Sequence, residues 1–189
     1  DLFGLGTDAI RWIAVDEHQR MKTADLRRQI DADRSLGDRP FLVVGTAGSV
    51  STGAVDPLPE IGAICREHDL WFHVDGAYGA FGVLDPAIAH RFRGMERADS
   101  LALDPHKWLG VPVDAGCALV RRGDDLRDAF SLIPPYLRQD TGSPVGTVRS
   151  QLPPKPVSAS APASAQADHR MLAISVAAST MYFAISPLT

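Results

Sequence analysis

The residues in this chain best suited to covalent chemistry stand in the word Asp104-Pro105-His106-Lys107-Trp108. The word follows directly on a short apolar run, Ser100-Leu101-Ala102-Leu103, and upstream a second apolar run, Leu70-Trp71-Phe72-His73-Val74, ends in Asp75. The ordinary fate of a lysine is a solvated surface position. Here Leu101 to Leu103 precede it and Trp108-Leu109-Gly110-Val111-Pro112 follow, a setting that predicts a desolvated amine free to attack a carbonyl. An amine of that kind serves as the Schiff-base partner of a carbonyl cofactor. Pyridoxal 5'-phosphate (PLP) needs both groups: a lysine to hold its aldehyde, and an acid to keep its pyridine nitrogen protonated so that the ring withdraws electrons. Asp75, at the end of an apolar strand, is an acid in want of a cationic partner. Ala77, two residues on, would share its side if the chain stays extended, and a small side chain there suits the face of a flat ring.

Other candidates are less determined. His106, beside Lys107, is either an ordinary histidine or a donor to a phosphate oxygen or to substrate. Asp104 faces the difficulty that an acid near a phosphate is unfavourable unless it binds backbone groups. His73 is read as structural, facing away from Asp75. His18, His68, His90 and His169 have no metal-ligand spacing, so no metal site is expected. The small, hydroxyl-rich stretch from Gly45 to Gly53 suggests a phosphate cradle but matches no Walker or dinucleotide pattern.

These groups need strands to position them. Phe41-Leu42-Val43-Val44 reads as a strand buried on both faces of a parallel sheet, leading through Thr46 into the glycine-rich loop. Leu70–Val74, Ser100–Leu103 and Gly116–Val120 read as further strands. Thr23 is the expected N-cap of a helix over 24–34, and Asp56-Pro57 the expected N-cap and first residue of a helix over 57–68. Residues 8–20 read as a short extended piece. Strand, helix, strand with short links predicts an α/β architecture, in which chemistry gathers at the carboxyl ends of the strands. Thr46, Asp75 and Lys107 all fall just past such ends, so one cleft is expected to hold all three.

With 189 residues, the chain is long enough for one domain with a real core. A net charge of −4 and no long basic run argue against a nucleic-acid partner. Cys65 and Cys117 are too few for a disulfide framework and read as buried free thiols. The start has no basic, signal-like stretch, which gives a cytoplasmic expectation. From about Ser143 the text turns rich in Pro, Ser and Ala, as disordered or linker-like segments are. Residues 171–188 carry no charge, but their Ser, Thr and Pro187 speak against a membrane span.

Taken in order, Gly45-Thr46-Ala47-Gly48-Ser49, Thr52-Gly53-Ala54-Val55-Asp56-Pro57, His73-Val74-Asp75-Gly76-Ala77-Tyr78-Gly79 and Ala98-Asp99-Ser100 leading to Asp104-Pro105-His106-Lys107-Trp108 closely resemble the group II PLP-dependent decarboxylases. This is the family of aromatic-L-amino-acid, glutamate and histidine decarboxylases, and the likeness runs from about residue 1 to about residue 140. The resemblance implies part of a fold-type I large domain, the aspartate-aminotransferase-like fold, with a mostly parallel sheet and flanking helices. It implies that Lys107 is the catalytic lysine that binds the cofactor covalently. It also implies that Asp75 pairs with the pyridine nitrogen, that Ala77 packs on the ring, and that Asp104 and His106 lie by the phosphate, with Thr46 a further cofactor contact. Many members carry Asn at the position of Asp104, and a threonine of some members aligns with Val50.

The activity implied is decarboxylation of an L-amino acid, aromatic in the first instance, to the amine and carbon dioxide by a homodimer. The rivals are an aldehyde-forming oxidative deaminase or another PLP lyase, and a non-catalytic fragment. The family's stacking histidine and main phosphate-binding residues would lie upstream of residue 1. Tyr136-Leu137-Arg138-Gln139-Asp140-Thr141-Gly142 looks like the start of a mobile catalytic loop. The expected division is therefore 1–142 as part of the PLP-binding domain and 143–189 as an atypical tail, a truncation or shifted reading frame being the expected origin. Trp12, Trp71, Trp108 and Phe81 leave the substrate open, since core packing explains each as well.

Overall fold

The computed structural model describes residues 5–130 and the backbone of 181–185. Its elements are β1 (Ile10–Trp12), α1 (Thr23–Ser35), β2 (Arg39–Thr46), α2 (Leu58–His68), β3 (Trp71–Asp75), β4 (Ser100–Leu103), α3 (Pro105–Trp108), β5 (Cys117–Val120), α4 (Gly123–Phe130) and β6 (Met181–Ile185). The strands form one sheet in the order β1-β6-β2-β3-β4-β5. β2, β3 and β4 run parallel, and β6 pairs antiparallel with both β1 and β2. This is the expected α/β architecture.

The chain divides into two compact units, one of residues 1–119 with 174–189 and one of residues 120–173. Within the second, the described helix is α4, which carries Asp124 and Asp125 in its first turn and the ion pairs Arg122–Asp125 and Arg127–Asp124. The segment Tyr136–Gly142 and residues 143–180 lie outside the described residues.

The first unit is organised by strand alternation. On β3, Phe72 and Val74 are buried while Trp71, His73 and Asp75 are half-buried on the opposite face. The buried face meets α2: a Cβ added at Gly45 would lie 3.1 Å from Leu58 Cδ2, 3.3 Å from Phe72 Cε2 and 3.5 Å from Ile61 Cδ1. Leu26 and Ile30 of α1 and Ile64 and Cys65 of α2 join the same core. Each such fully buried Leu, Ile or Phe contributes about 1.5–3 kcal/mol. β2 departs from its expected double burial: Val43 is buried, whereas Leu42 and Val44 are half-buried. Both helices that pack on β2 join that one core, so only its inner side chains are enclosed.

Several local expectations are corrected. Thr23 is the first residue of α1 rather than its cap; extended Lys22 holds the cap position, with no side-chain bond. Pro57 caps α2 and Leu58 begins it. The Asp56 carboxylate reaches elsewhere, accepting the Met21 N–H at 2.7 Å and the Thr46 N–H at 2.8 Å. Asp99 joins β3 to β4: its carboxylate accepts the Phe72 N–H at 2.9 Å, and its own N–H donates to the Phe72 carbonyl at 2.7 Å. Arg11 ties β1 to α1 through Asp33 (3.1 Å) and also pairs with Asp38 (2.8 Å); burial works against its charge, but the two acids together outweigh it and hold the guanidinium more firmly protonated than usual. Cys65 is buried as expected, but Cys117 is only half-buried; neither is in a disulfide.

Candidate functional site

The parallel register brings the strand ends into line. Thr46, the last residue of β2, pairs with Asp75, the last of β3, and Asp75 pairs with Ala102 of β4. One residue beyond Leu103 ends β4, Asp104 caps the short helix α3 that carries His106 and Lys107. Acid and amine thus stand at the same carboxyl edge of the sheet.

Asp75 is fixed by the turn that follows it. Its Oδ1 accepts the Ala77 N–H at 3.1 Å, an Asx turn that bends the chain at once. Ala77 is therefore buried in a turn rather than carried forward on an extended strand. The Gly76 N–H still donates to the Ala102 carbonyl at 3.0 Å, which holds the turn against β4. Among the described residues no other hydrogen bond reaches the Asp75 carboxylate.

Lys107 differs from its expectation of desolvation. No residue of α3 is buried, and the Lys107 side chain is 37% exposed. The apolar residues that flank it in sequence do not cover it: Trp108 and Leu109 are themselves half exposed. Its Nζ is 2.6 Å from Asp104 Oδ2. Asp104 thus faces the amine, a partner that resolves the difficulty of an acid beside a phosphate. His106 is half-buried, and its Nδ1 lies 3.1 Å from the Ala115 amide nitrogen and 2.9 Å from the Ala115 carbonyl oxygen. A backbone N–H can only donate and a carbonyl oxygen can only accept, so Nδ1 meets a partner in either tautomer; where it accepts the amide, the ring proton sits on Nε2.

Two loops complete the edge. Gly48, with φ of +89°, meets Gly79 so closely that a Cβ on either would lie 2.6 Å from the other's Cα. Trp108 packs edge-to-face on Tyr78, with ring centroids 6.0 Å apart, which joins the turn after β3 to α3. The stretch from Gly45 to Gly53 is not an open cradle. The Gly48 and Ser49 amides donate to the Ala54 carbonyl, and that of Gly53 to the Ser49 carbonyl, so the loop spends these donors on itself. Among the described residues no cluster of His, Cys, Asp or Glu could hold a metal ion, and no helix is long and apolar enough to cross a membrane.

Sequence reasoning misplaced His73. Two residues before Asp75 on a strand, it shares the acid's face. Its Nδ1 lies 2.7 Å from Ser100 Oγ, and the Trp71 indole N–H donates to the same oxygen at 2.8 Å. Burial, opposed more weakly by the negative charge of Asp75, holds the imidazole below its ordinary pKa. The two-residue period of the strand was the signal that could have found it.

Comparison with known proteins gives this edge a context. The pyridoxal-dependent decarboxylase conserved domain matches residues 2–160. The aromatic-L-amino-acid decarboxylase of Bacillus atrophaeus is 41% identical over 136 residues, 72% of this chain and 28% of that relative. The crystal structure of mouse CSAD superposes with a TM-score of 0.64 at 42% identity, over 66% of this chain and 27% of that one. The structure of Rhodiola rosea 4-hydroxyphenylacetaldehyde synthase does so with a TM-score of 0.60 at 37% identity, over 63% and 26%. The chain spans about a quarter of the length of the curated relatives it matches. The architecture is that of part of a fold-type I domain, and on the extent of the family match the chain belongs to the pyridoxal-dependent decarboxylases.

Proposed function

We propose that this chain carries the covalent lysine and the ring-pairing acid of an enzyme that decarboxylates an L-amino acid, with an aromatic side chain on the preferred substrate. The observation that carries this reading is the alignment of Thr46, Asp75 and Ala102 in one strand-end row, with Lys107 one short turn beyond β4.

The donor set fits pyridoxal phosphate. An aldehyde needs a reachable amine, and Lys107 Nζ is part-exposed with Asp104 as its ion-pair partner. A pyridine nitrogen needs an acid, and Asp75, whose Oδ1 is turned by the Ala77 N–H, stands beside that buried alanine at the strand end. A phosphate needs donors, and His106 offers an Nε2 proton in the tautomer whose Nδ1 accepts the Ala115 N–H. When bound, the cofactor supplies a conjugated, electron-withdrawing ring to the carbon that loses carbon dioxide.

The residues of the chain do the rest. Lys107 binds through Nζ, and Asp104 holds that amine in place before capture. Asp75 keeps a negative charge where the ring nitrogen must stay protonated, which is electrostatic preorganisation in a fixed strand. The Ala77 N–H holds the carboxylate in orientation. His106 donates from Nε2. Thr46 lines the same row, its backbone locked by Asp56.

Borohydride trapping of the protein with pyridoxal phosphate, followed by peptide mass spectrometry, tests the reading. The adduct is expected on Lys107. An adduct on Lys22 or Lys155, the other lysines of the chain, overturns it. A second reading, aldehyde formation by oxidative deamination, is supported by the likeness to the 4-hydroxyphenylacetaldehyde synthase; amine as the sole product of an aromatic L-amino acid excludes it. The working assembly proposed is a homodimer, checked by sedimentation of the full-length protein.

A further inference from the structure

Beneath the strand-end row runs a second polar row that the proposed chemistry does not use. His73 stands on β3 two residues before Asp75, and the register sets Val44 of β2 and Ser100 of β4 beside it. Its Nδ1 is 2.7 Å from Ser100 Oγ, which also accepts the Trp71 indole N–H at 2.8 Å. A serine hydroxyl has one proton and two lone pairs. With the indole N–H on one lone pair, the hydroxyl can still give its proton to Nδ1, and in that arrangement the neutral imidazole carries its own proton on Nε2. Burial favours a neutral imidazole over an imidazolium.

Among the described residues, the sheet gives His73 one charged neighbour. On its own strand that is Asp75. Its register neighbours and those of Asp75 are Val44 and Thr46 on β2 and Ser100 and Ala102 on β4, none of which titrates near neutrality. The charge state of His73 therefore bears directly on Asp75.

We propose that Trp71, Ser100 and His73 form a positioning chain for Asp75: a neutral imidazole, locked on the carboxylate's own face, leaves the acid's charge to the cofactor's ring nitrogen. An imidazolium in that place would be a rival counter-ion to the same carboxylate. His73 and Ser100 are thus positioning residues, acting through Asp75, and the inference rests on the reading of Asp75 as the ring-pairing acid.

The test uses the full-length protein with labelled histidine, and the variants Ser100→Ala, Ser100→Thr and Trp71→Phe. Without cofactor, the His73 ring resonances are followed from about pH 5 to about pH 8. The wild type is expected to hold the proton on Nε2 and to titrate below an ordinary histidine. Ser100→Ala shifts that titration upward, Trp71→Phe shifts it less in the same direction, and Ser100→Thr, which keeps the hydroxyl, restores it. Cofactor affinity, read by absorbance, then falls about tenfold more in Ser100→Ala than in the wild type as the pH is lowered across one unit of titration. If Ser100→Ala does not fold, Trp71→Phe and Ser100→Thr carry the comparison. A wild-type imidazole protonated on Nδ1, or a variant affinity that follows the wild-type pH curve, overturns the proposal. Borohydride trapping of the wild type separates the two questions. No adduct on Lys107 overturns the functional reading and this inference with it; an adduct with an unshifted His73 overturns the inference alone.

Discussion

The two faces of β3 are built from the same five residues and do opposite work. Inward, Phe72 and Val74 belong to the same apolar core as Leu58 and Ile61 of α2. Outward, Trp71, His73 and Asp75 make a ladder of polar groups that ends at the carboxyl edge. The inner face supplies cohesion, which depends on volume and apolar area. The outer face supplies orientation, which depends on which atom bears which proton. A residue's contribution here is decided by parity along the strand more than by its chemical type.

That contrast can be broken from either side. The largest effect is expected at the inner face: Phe72→Ala opens a cavity under α2 and lowers stability by about 3–5 kcal/mol. Denaturant unfolding measures it, and trapping at Lys107 per folded molecule stays near the wild-type level. Next comes the outer face. Asp75→Asn keeps the shape and removes the charge, so turnover falls about a hundredfold or more, as when a preorganised electrostatic partner is lost, with little change in the unfolding midpoint. If the two variants fail in each other's assay, the separation of faces is wrong. A smaller inner-face effect is expected of Gly45→Ala, whose new Cβ stands 3.1 Å from Leu58 Cδ2; crowding of this kind costs about 1–3 kcal/mol.

The smallest effect lies away from both faces, in the exposed turn where Asp16 accepts the backbone N–H groups of Arg20 and His18 and the Arg20 guanidinium. These bonds, the Arg20 backbone N–H first, lower its pKa to about 2. A depressed carboxylate pKa means that its stabilising contribution is present above the ordinary carboxylate value and is lost as the pH falls through about 2. Asp16→Asn is expected to lower the melting temperature slightly at neutral pH and to match the wild type once the pH is near 2.

Much of this was legible in the residues. β2, β3 and β4 announce themselves as short apolar runs bounded by polar or small residues, and the helix expected over 57–68 makes β2 and β3 a parallel pair. Lys107 and Asp75 could be placed at strand ends because the runs stop just before them. What could not be read are relations between distant segments. Asp56 next to Pro57 satisfies every local rule for a helix cap, yet its carboxylate is taken by amides at Met21 and Thr46, far along the chain. Apolar neighbours in sequence suggested a buried Lys107, but burial is decided by what packs from elsewhere, and α3 lies exposed. Trp12 and Trp108, readable as core residues, are exposed for the same reason. His73 is a different case, since the alternation of the strand was enough to place it on the acid's side.

The meeting of Gly48 and Gly79 has a consequence for how the edge tolerates change. Side chains in contact can turn aside when a neighbour grows; main chain seated on main chain has no such slack. The hinge-like freedom usual in loops is withdrawn at this seam, and the segments after β2 and β3 shift as one piece or not at all. An added methyl at either position would be felt at Thr46 on one side and at Asp75 on the other, so alignment of the row is set by two residues that own no functional group.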